Sequence, residues 1–208
     1  MKLIELILDS EMELSGIDAI SIVENPAIEE NWIALKGETN EYKFAEVSKE
    51  KKIIMGALLV PDKPIYRRDE ENGEYYIYFS QDTIRQCMEM FFKNGNQSNA
   101  TFEHLESVTG LTMVESWIVE DTEKDKSNLY NLNVPVGTWI GTIKVDNDVI
   151  WNDFIKTGKV KGFSIEGYFS DKAKMPLSKI EDETEVEKEI EAGLQLLEIK
   201  KWLNDNGY

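Results

Sequence analysis

Two residues of this sequence have side chains suited to acyl transfer: a serine set between glycines and a histidine. Ser164 lies in the segment 161–169, with Gly162 before it and Gly167 after it. A serine hydroxyl is a weak nucleophile unless a neighbouring base accepts its proton, and near neutral pH the natural base is histidine. The chain contains one histidine, His104. If the fold brings the two together, we expect attack of the serine Oγ on a carbonyl carbon.

Each of these residues also has an ordinary structural explanation. A single histidine in a polar loop is more often a surface or structural residue than a catalytic one. A serine on a strand is more often engaged in packing or hydrogen bonding. The spacing between His104 and Ser164 does not require that they meet. Composition and pattern alone therefore indicate an acidic α+β domain with a candidate Ser–His pair.

Short apolar segments predict the elements that must position these residues. Strands are expected at 3–8, 53–60, 75–79, 112–120, 136–145 and 161–169. The runs at 53–60 and 75–79 are expected to form a hairpin. Ser80 predicts a helix N-cap, and a second short helix is expected at 150–155. The apolar residues after Ser80 repeat with helical spacing: Ile84, Cys87, Met88 and Phe91.

Composition restricts the partners and cofactors. The chain has 40 acidic and 23 basic residues, with a net charge of −17, which argues against nucleic acid or an anionic membrane as the main partner. One histidine and one cysteine exclude the usual zinc sites, and no phosphate-binding glycine motif is present, so no metal or cofactor is expected. The single Cys87 is expected in the core, without a disulfide, which suits the cytosol. No signal peptide or membrane span is expected.

The chain divides by composition into three parts. Residues 1–50 are expected to form an N-terminal extension and linker, and residues 51–172 the core. Residues 173–208 are expected to be an acidic helical segment, because acids dominate its early part and lysines follow near its end, as suits the helix dipole.

Six short motifs occur in a definite order: 16–28 (GIDAISIVENPAI), 56–67 (GALLVPDKPIYR), 101–104 (TFEH), 114–121 (VESWIVED), 135–139 (PVGTW) and 160–169 (VKGFSIEGYF). Together they resemble the prohead, or capsid maturation, serine proteases of tailed bacteriophages, in the branch found in prophage-like elements. The resemblance covers about residues 1–170. It implies an assemblin-like fold, a small, mostly antiparallel β-barrel with surrounding helices.

The resemblance also implies roles. His104 would be the general base and Ser164 the nucleophile of an endopeptidase. Its substrates would be scaffold segments, the major capsid protein and the protease itself, cleaved during head assembly inside the prohead in the bacterial host cytoplasm. Self-association is expected.

The third catalytic residue stays open at this point. Related enzymes place a histidine or an acid on a strand after the serine, and no histidine follows Ser164. The orienting group would then be a carboxylate. Glu115, expected on a neighbouring strand, is preferred, because Glu166, two residues beyond the serine on the same face, is expected to point parallel to Ser164 and away from His104. Glu166 and Asp171 are the alternatives.

Two other functions are compatible with the sequence. One is a catalytically inactive capsid assembly or scaffolding protein on the same fold. This function would account for the acidic C-terminal segment and for the weak match to the family's third catalytic residue. The other is an unrelated peptide-binding β domain that uses the charged loop 121–128 as its contact surface.

Overall fold

The computed structural model describes residues 2–9, 15–24, 26, 45–48, 51–69 and 73–172. Internal contacts divide the chain into two units, Met1–Lys172 and Ala173–Tyr208. The predicted acidic helical segment, 173–208, lies outside the described residues, as does most of the predicted linker before residue 50. The three predicted domain limits stay a prediction.

The described part of the first unit is rich in β-structure. Its strands are β1 Lys2–Ile7, β2 Gly16–Val23, β3 Ala45–Ser48, β4 Ile53–Leu59, β5 Ile65–Asp69, β6 Gly73–Phe79, β7 Ala100–Phe102, β8 Glu106–Val108, β9 Leu111–Ile118, β10 Trp139–Val145, β11 Gly162–Tyr168 and β12 Ser170–Asp171. The α-helix α1 is Gln81–Lys93, 3₁₀ turns lie at Asn96–Ser98 and Lys126–Tyr130, and a π-helical turn lies at Ile150–Ile155.

Three four-stranded sheets organise these strands. Their orders are β12-β1-β6-β5, β3-β4-β10-β9 and β11-β2-β7-β8. Most neighbouring strands are antiparallel, with parallel pairs at β1–β6 and β2–β7. Within the described residues none of the three sheets closes into a barrel. A β-rich structure with few helices agrees with the α+β class predicted from the sequence.

The predicted hairpin between the runs at 53–60 and 75–79 is wrong. Strand β4 pairs with β3 and β10, whereas β6 pairs with β5 and β1. The true partner of β6 in the hairpin is Ile65–Asp69, which has one buried residue and three exposed ones. Strand β5 pairs with β6 through its backbone and buries little apolar surface. Its sequence therefore lacks the alternation of apolar and polar residues that would predict a strand.

Helix α1 follows the sequence prediction closely. The Ser80 hydroxyl accepts a hydrogen bond from the Thr83 backbone N–H, as an N-cap does, and the helix ends at Asn94. Of the predicted apolar face, Ile84, Cys87 and Phe91 are buried and Met88 is half-buried, and the helix packs against β2 and β10. At this contact the rings of Phe91 and Trp139 meet edge to face, with centroids 5.7 Å apart. The helix therefore supports two of the three sheets from one side.

Strand β2 lies in the middle of the sheet that carries both candidate catalytic segments. It is antiparallel to β11, which contains Ser164, and parallel to β7, which precedes His104. Ile17, Ile20 and Ile22 of β2 are buried. Residues from the predicted extension thus form the centre of this sheet.

Close packing explains the two glycines that flank Ser164. A Cβ on Gly167 would lie 2.0 Å from the carbonyl oxygen of Gly16, and one on Gly162 would lie 2.3 Å from the Pro26 ring. Both positions therefore need glycine because β2 and the residues after it approach closely. No helix in the described part of the chain is both long and apolar enough to cross a bilayer.

The burial of Cys87 yields a test of this packing. Its side chain has no exposed surface, and burial raises the pKa of the thiol to about 12. At pH 8 a thiol reagent such as dithionitrobenzoate should therefore leave the native protein unmodified and react with one thiol per chain after unfolding in guanidinium. A Cys87→Ala, Asn152→Cys variant, with its thiol at an exposed position, should react at once. Rapid reaction of the native wild type would contradict the buried position.

Candidate active site

A row of hydroxyl side chains crosses the sheet that contains β2. Ser164 of β11 stands opposite Ser21 of β2, and Ser21 stands beside Thr101 of β7. Residues directly opposite one another in a sheet project from the same face. Ser164 and Ser21 are both buried, with exposed fractions of 5% and 0%. The candidate nucleophile therefore belongs to a row of hydroxyl side chains on one face of this sheet.

His104 lies in the tight turn that joins β7 to β8. The turn closes with a hydrogen bond from the Leu105 N–H to the Phe102 carbonyl, 3.0 Å long. Its two central residues, Glu103 and His104, have φ of 51° and 58°. Positive φ at both positions is the mark of a type I′ turn, which usually carries Asn-Gly. Two larger residues in this conformation store strain of about 1 kcal/mol or more each.

Three hydrogen bonds fasten this turn to β2 and the residue after it. The Glu103 N–H donates to the Ile22 carbonyl at 3.1 Å, and the His104 N–H donates to the Ser21 hydroxyl at 3.0 Å. The Glu24 N–H donates to the Glu103 carboxylate at 2.6 Å. Because β2 is also the neighbour of β11, the same strand that pairs with the Ser164 segment holds the backbone of His104.

The imidazole of His104 is paired with a carboxylate. Its Nδ1 lies 3.0 Å from Oε1 of Glu166, and the hydroxyl of Thr101 donates a hydrogen bond to the same oxygen. An ionised carboxylate only accepts hydrogen bonds, so in a neutral ring with this contact Nδ1 carries the proton and Nε2 presents a lone pair. The neutral ring is thereby held in the tautomer that a general base requires. The two side chains are about one-third to two-fifths exposed, so water and substrate can reach them.

Glu166 reaches His104 by crossing β2. It stands opposite Ala19, a small residue two positions before Ser21. A small side chain at that position leaves space above β2 for a long one to extend towards the turn. The expectation that Glu166 would point parallel to Ser164, away from His104, took no account of this length.

The structure places the other two candidate carboxylates elsewhere. Glu115 lies on β9, in the sheet β3-β4-β10-β9, and is ion-paired with Lys126 at 2.5 Å, which lowers the pKa of the Glu115 carboxyl. Asp171 lies on β12 and is 3.8 Å from the Lys2 ammonium. Of the three candidates, Glu166 is the one that contacts His104. The geometry therefore favours Glu166 over Glu115 as the carboxylate partner of the imidazole.

Ser164 lies on β11 and His104 follows β7, on the two sides of β2, and no direct hydrogen bond joins them in the described part of the chain. Ser21 links them, since it contacts the His104 backbone and stands across from Ser164, where opposite Cα atoms are about 4.5–5.5 Å apart. Hydrogen bonds between nucleophile and base are often long before substrate binds and tighten in the complex. Acyl transfer in this arrangement requires Nε2 of His104 to come within hydrogen-bond distance of the Ser164 Oγ.

Sequence reasoning missed the contacts that Ser21 and Thr101 make with the His104–Glu166 pair. Ser21 is the one polar residue in the run Ile20-Ser21-Ile22, and Thr101 opens the motif that ends in His104. A hydroxyl inside an apolar strand is a usable signal, because such a group needs a partner once it is buried. Among the described residues no cluster of three or more His, Cys, Asp or Glu side chains is arranged to hold a metal ion.

One comparison with known proteins is informative. The peptidase family described as "Putative phage serine protease XkdF" matches residues 42–173, well over half of the 208 residues. No curated protein and no solved structure matches the chain. The family match includes both Ser164 and His104, whereas β2 with Ser21 lies before its first residue.

The His104–Glu166 contact can be checked directly, because the chain has one histidine and its imidazole signals need no assignment. In wild type the Nδ1–H proton should appear downfield, since it is hydrogen-bonded to a carboxylate. Glu166→Ala should remove that signal, and Glu115→Ala should leave it in place. Proton NMR of ¹⁵N-labelled protein measures both. A signal lost in Glu115→Ala and kept in Glu166→Ala would contradict the geometry described above.

Proposed function

This chain belongs to the phage serine protease family, and we propose that it is a serine endopeptidase of phage head maturation with Ser164, His104 and Glu166 as its catalytic residues. Membership rests on the family match over residues 42–173. The assignment of the three residues rests on one observation, the contact between His104 Nδ1 and the carboxylate of Glu166 beside Ser164.

The reaction follows from this arrangement. The Ser164 Oγ attacks the peptide carbonyl carbon while Nε2 of His104 accepts the hydroxyl proton, and the tetrahedral intermediate expels the amine, which takes that proton. Water then attacks the acyl-enzyme, with His104 again as base, and releases the acid and the free serine. Glu166 stabilises the imidazolium in both steps. The oxyanion donors in this proposal are backbone N–H groups.

The finer fold assignment is also a proposal. An assemblin-like barrel would require the sheets β11-β2-β7-β8 and β3-β4-β10-β9 to form one closed surface. Contacts between β11 and β4 support this proposal, as does the predominance of antiparallel pairing in these sheets.

The biological role proposed here extends the resemblance noted from the motifs. The substrates would be segments of the scaffold and the major capsid protein, together with the protease itself, cut inside the assembling prohead in the host cytoplasm. Self-association of the protease is part of the proposal. The acidic charge of −17 supports protein rather than nucleic acid as the substrate class.

A second candidate function is an inactive assembly or scaffolding protein on the same fold. One observation favours it: no hydrogen bond joins His104 to Ser164 among the residues described. This alternative requires that the Ser164 hydroxyl be unreactive and that His104→Ala leave head maturation intact.

A fluorophosphonate probe tests the nucleophile, because it modifies an activated serine and spares an ordinary one. Wild type should be labelled at Ser164 and should cut the capsid protein when the two are incubated in assembled particles. Ser164→Ala should show neither reaction, and His104→Ala should lower both by roughly 10²–10⁴-fold, the usual contribution of a general base. Ser107→Ala, an exposed serine in the same sheet, serves as the matched control. Equal fragment patterns in wild type and Ser164→Ala would overturn the nucleophile assignment.

A pair of carboxylate variants tests the third residue. Glu166→Gln should lower the labelling rate strongly, by about 10²-fold or more, because the ring loses the charge that stabilises the imidazolium. Glu115→Gln should change the rate by less than about twofold, since it breaks a partly exposed ion pair with little energetic weight. The second-order labelling rate constant measures both. The reverse order of effects would restore Glu115 as the orienting group.

A further inference from the structure

We propose that Ser21 is a positioning residue of this active site: its hydroxyl holds the backbone of His104, and thereby the imidazole, at the distance from Ser164 that catalysis needs. This inference rests on the function proposed above. It assigns a role to a residue outside the matched range 42–173, on a strand that the sequence divides from the core.

The first step concerns the turn that carries His104. Glu103 and His104 both have positive φ, a conformation that glycine and asparagine adopt readily and that larger residues adopt at a cost. A turn under such strain relaxes towards other conformations unless neighbouring groups hold it. The direction of the His104 side chain therefore depends on contacts made by the turn, as well as on its own sequence.

The second step concerns which contact holds His104 itself. The His104 N–H donates its hydrogen bond to a side chain, the hydroxyl of Ser21. The Glu103 N–H instead finds a backbone carbonyl, that of Ile22, which any residue at that position would supply. The choice of serine at position 21 therefore determines whether the His104 N–H has this acceptor.

The third step concerns distance. Ser21 stands opposite Ser164, and Thr101 stands on its other side. The Ser21 hydroxyl thus contacts the backbone of His104, while its strand, β2, pairs with β11, which carries Ser164. Thr101 supports the same arrangement from the other end, because it donates to the Glu166 oxygen that also binds Nδ1 of His104.

Ser21 is not a second nucleophile. Its side chain has no exposed surface, and its Oγ already accepts the His104 N–H. A reacting carbonyl needs access to the serine oxygen, and Ser21 offers none. Its contribution therefore passes through His104.

The experiment compares Ser21→Ala and Ser21→Thr with Ser116→Ala. Alanine removes the acceptor, threonine keeps a hydroxyl, and Ser116 is a matched control because its Oγ accepts a hydrogen bond from the Trp139 indole in another sheet. We expect the rate of fluorophosphonate labelling to fall about 10- to 100-fold in Ser21→Ala, because the part-buried His104 N–H loses its acceptor and the turn loses one of the contacts that fix the imidazole. Ser21→Thr should recover much of the rate. Ser116→Ala should lose thermal stability and keep its rate.

The His104 ring signal supplies a readout that a purely structural role would not change. In Ser21→Ala the downfield Nδ1–H signal should broaden or disappear, because the ring no longer sits against Glu166, while in Ser116→Ala it should persist. A folded Ser21→Ala protein with wild-type labelling and an unchanged His104 signal would overturn the proposal. If Ser21→Ala does not fold, a Ser21→Thr protein that folds but labels slowly and has lost the ring signal would overturn it as well.

The two proposals fail separately. A wild type that the probe does not label overturns the proposed function, and the ring signal still decides whether Ser21 sets the position of His104. A labelled wild type with an unaffected Ser21→Ala variant overturns the role of Ser21 and leaves the proposed function standing.

Discussion

The attachment of the His104 turn to β2 is the interaction on which the candidate site depends. The turn holds two non-glycine residues at positive φ, which costs about 1–3 kcal/mol for each. Three hydrogen bonds between the turn and Ser21, Ile22 and Glu24 offset that cost, at about 1 kcal/mol for each in net terms. The two sums are of similar size, so the turn is stable only while it is docked on β2. The position of the base is thus a property of the sheet as well as of the turn.

Strand β2 contributes both to the hydrophobic core and to the candidate site, through different residues. The isoleucines at 17, 20 and 22 are buried in the core and stabilise the sheet. Ala19 is small and stands opposite Glu166, so it leaves room for this long side chain to reach His104 above the strand. Ser21 supplies the hydroxyl that accepts the His104 N–H. The sequence of this strand therefore reflects the needs of the site as much as those of packing.

The carboxylates of the chain differ in what they do because their neighbours differ. Glu115 is held by the Lys126 ammonium, which lowers its pKa and occupies it in an ion pair far along another sheet. Glu166 instead has two hydrogen-bond donors, the Thr101 hydroxyl and His104 Nδ1. Both carboxylates stood beside apolar strand residues in the sequence, and the distinction arises from the groups that surround them once the sheets form.

Local patterns in the sequence determined a large share of this protein. Helical spacing and a serine N-cap defined α1, apolar runs located β4, β9, β10 and β11, and residue chemistry identified His104 and Ser164 as the candidate base and nucleophile. These features depend on neighbours along the chain, so a pattern of a few residues carries them. Tertiary structure decided the pairing of β6 with β5 and the central place of β2. It also decided that His104 contacts Glu166 and that Glu115 contacts Lys126 instead. Each depends on contacts between residues far apart in sequence. Glu166 contacts His104 from 62 positions along the chain, and Ser21 contacts it from 83 positions. No local sequence pattern predicts such a contact, because it arises from strand order and register.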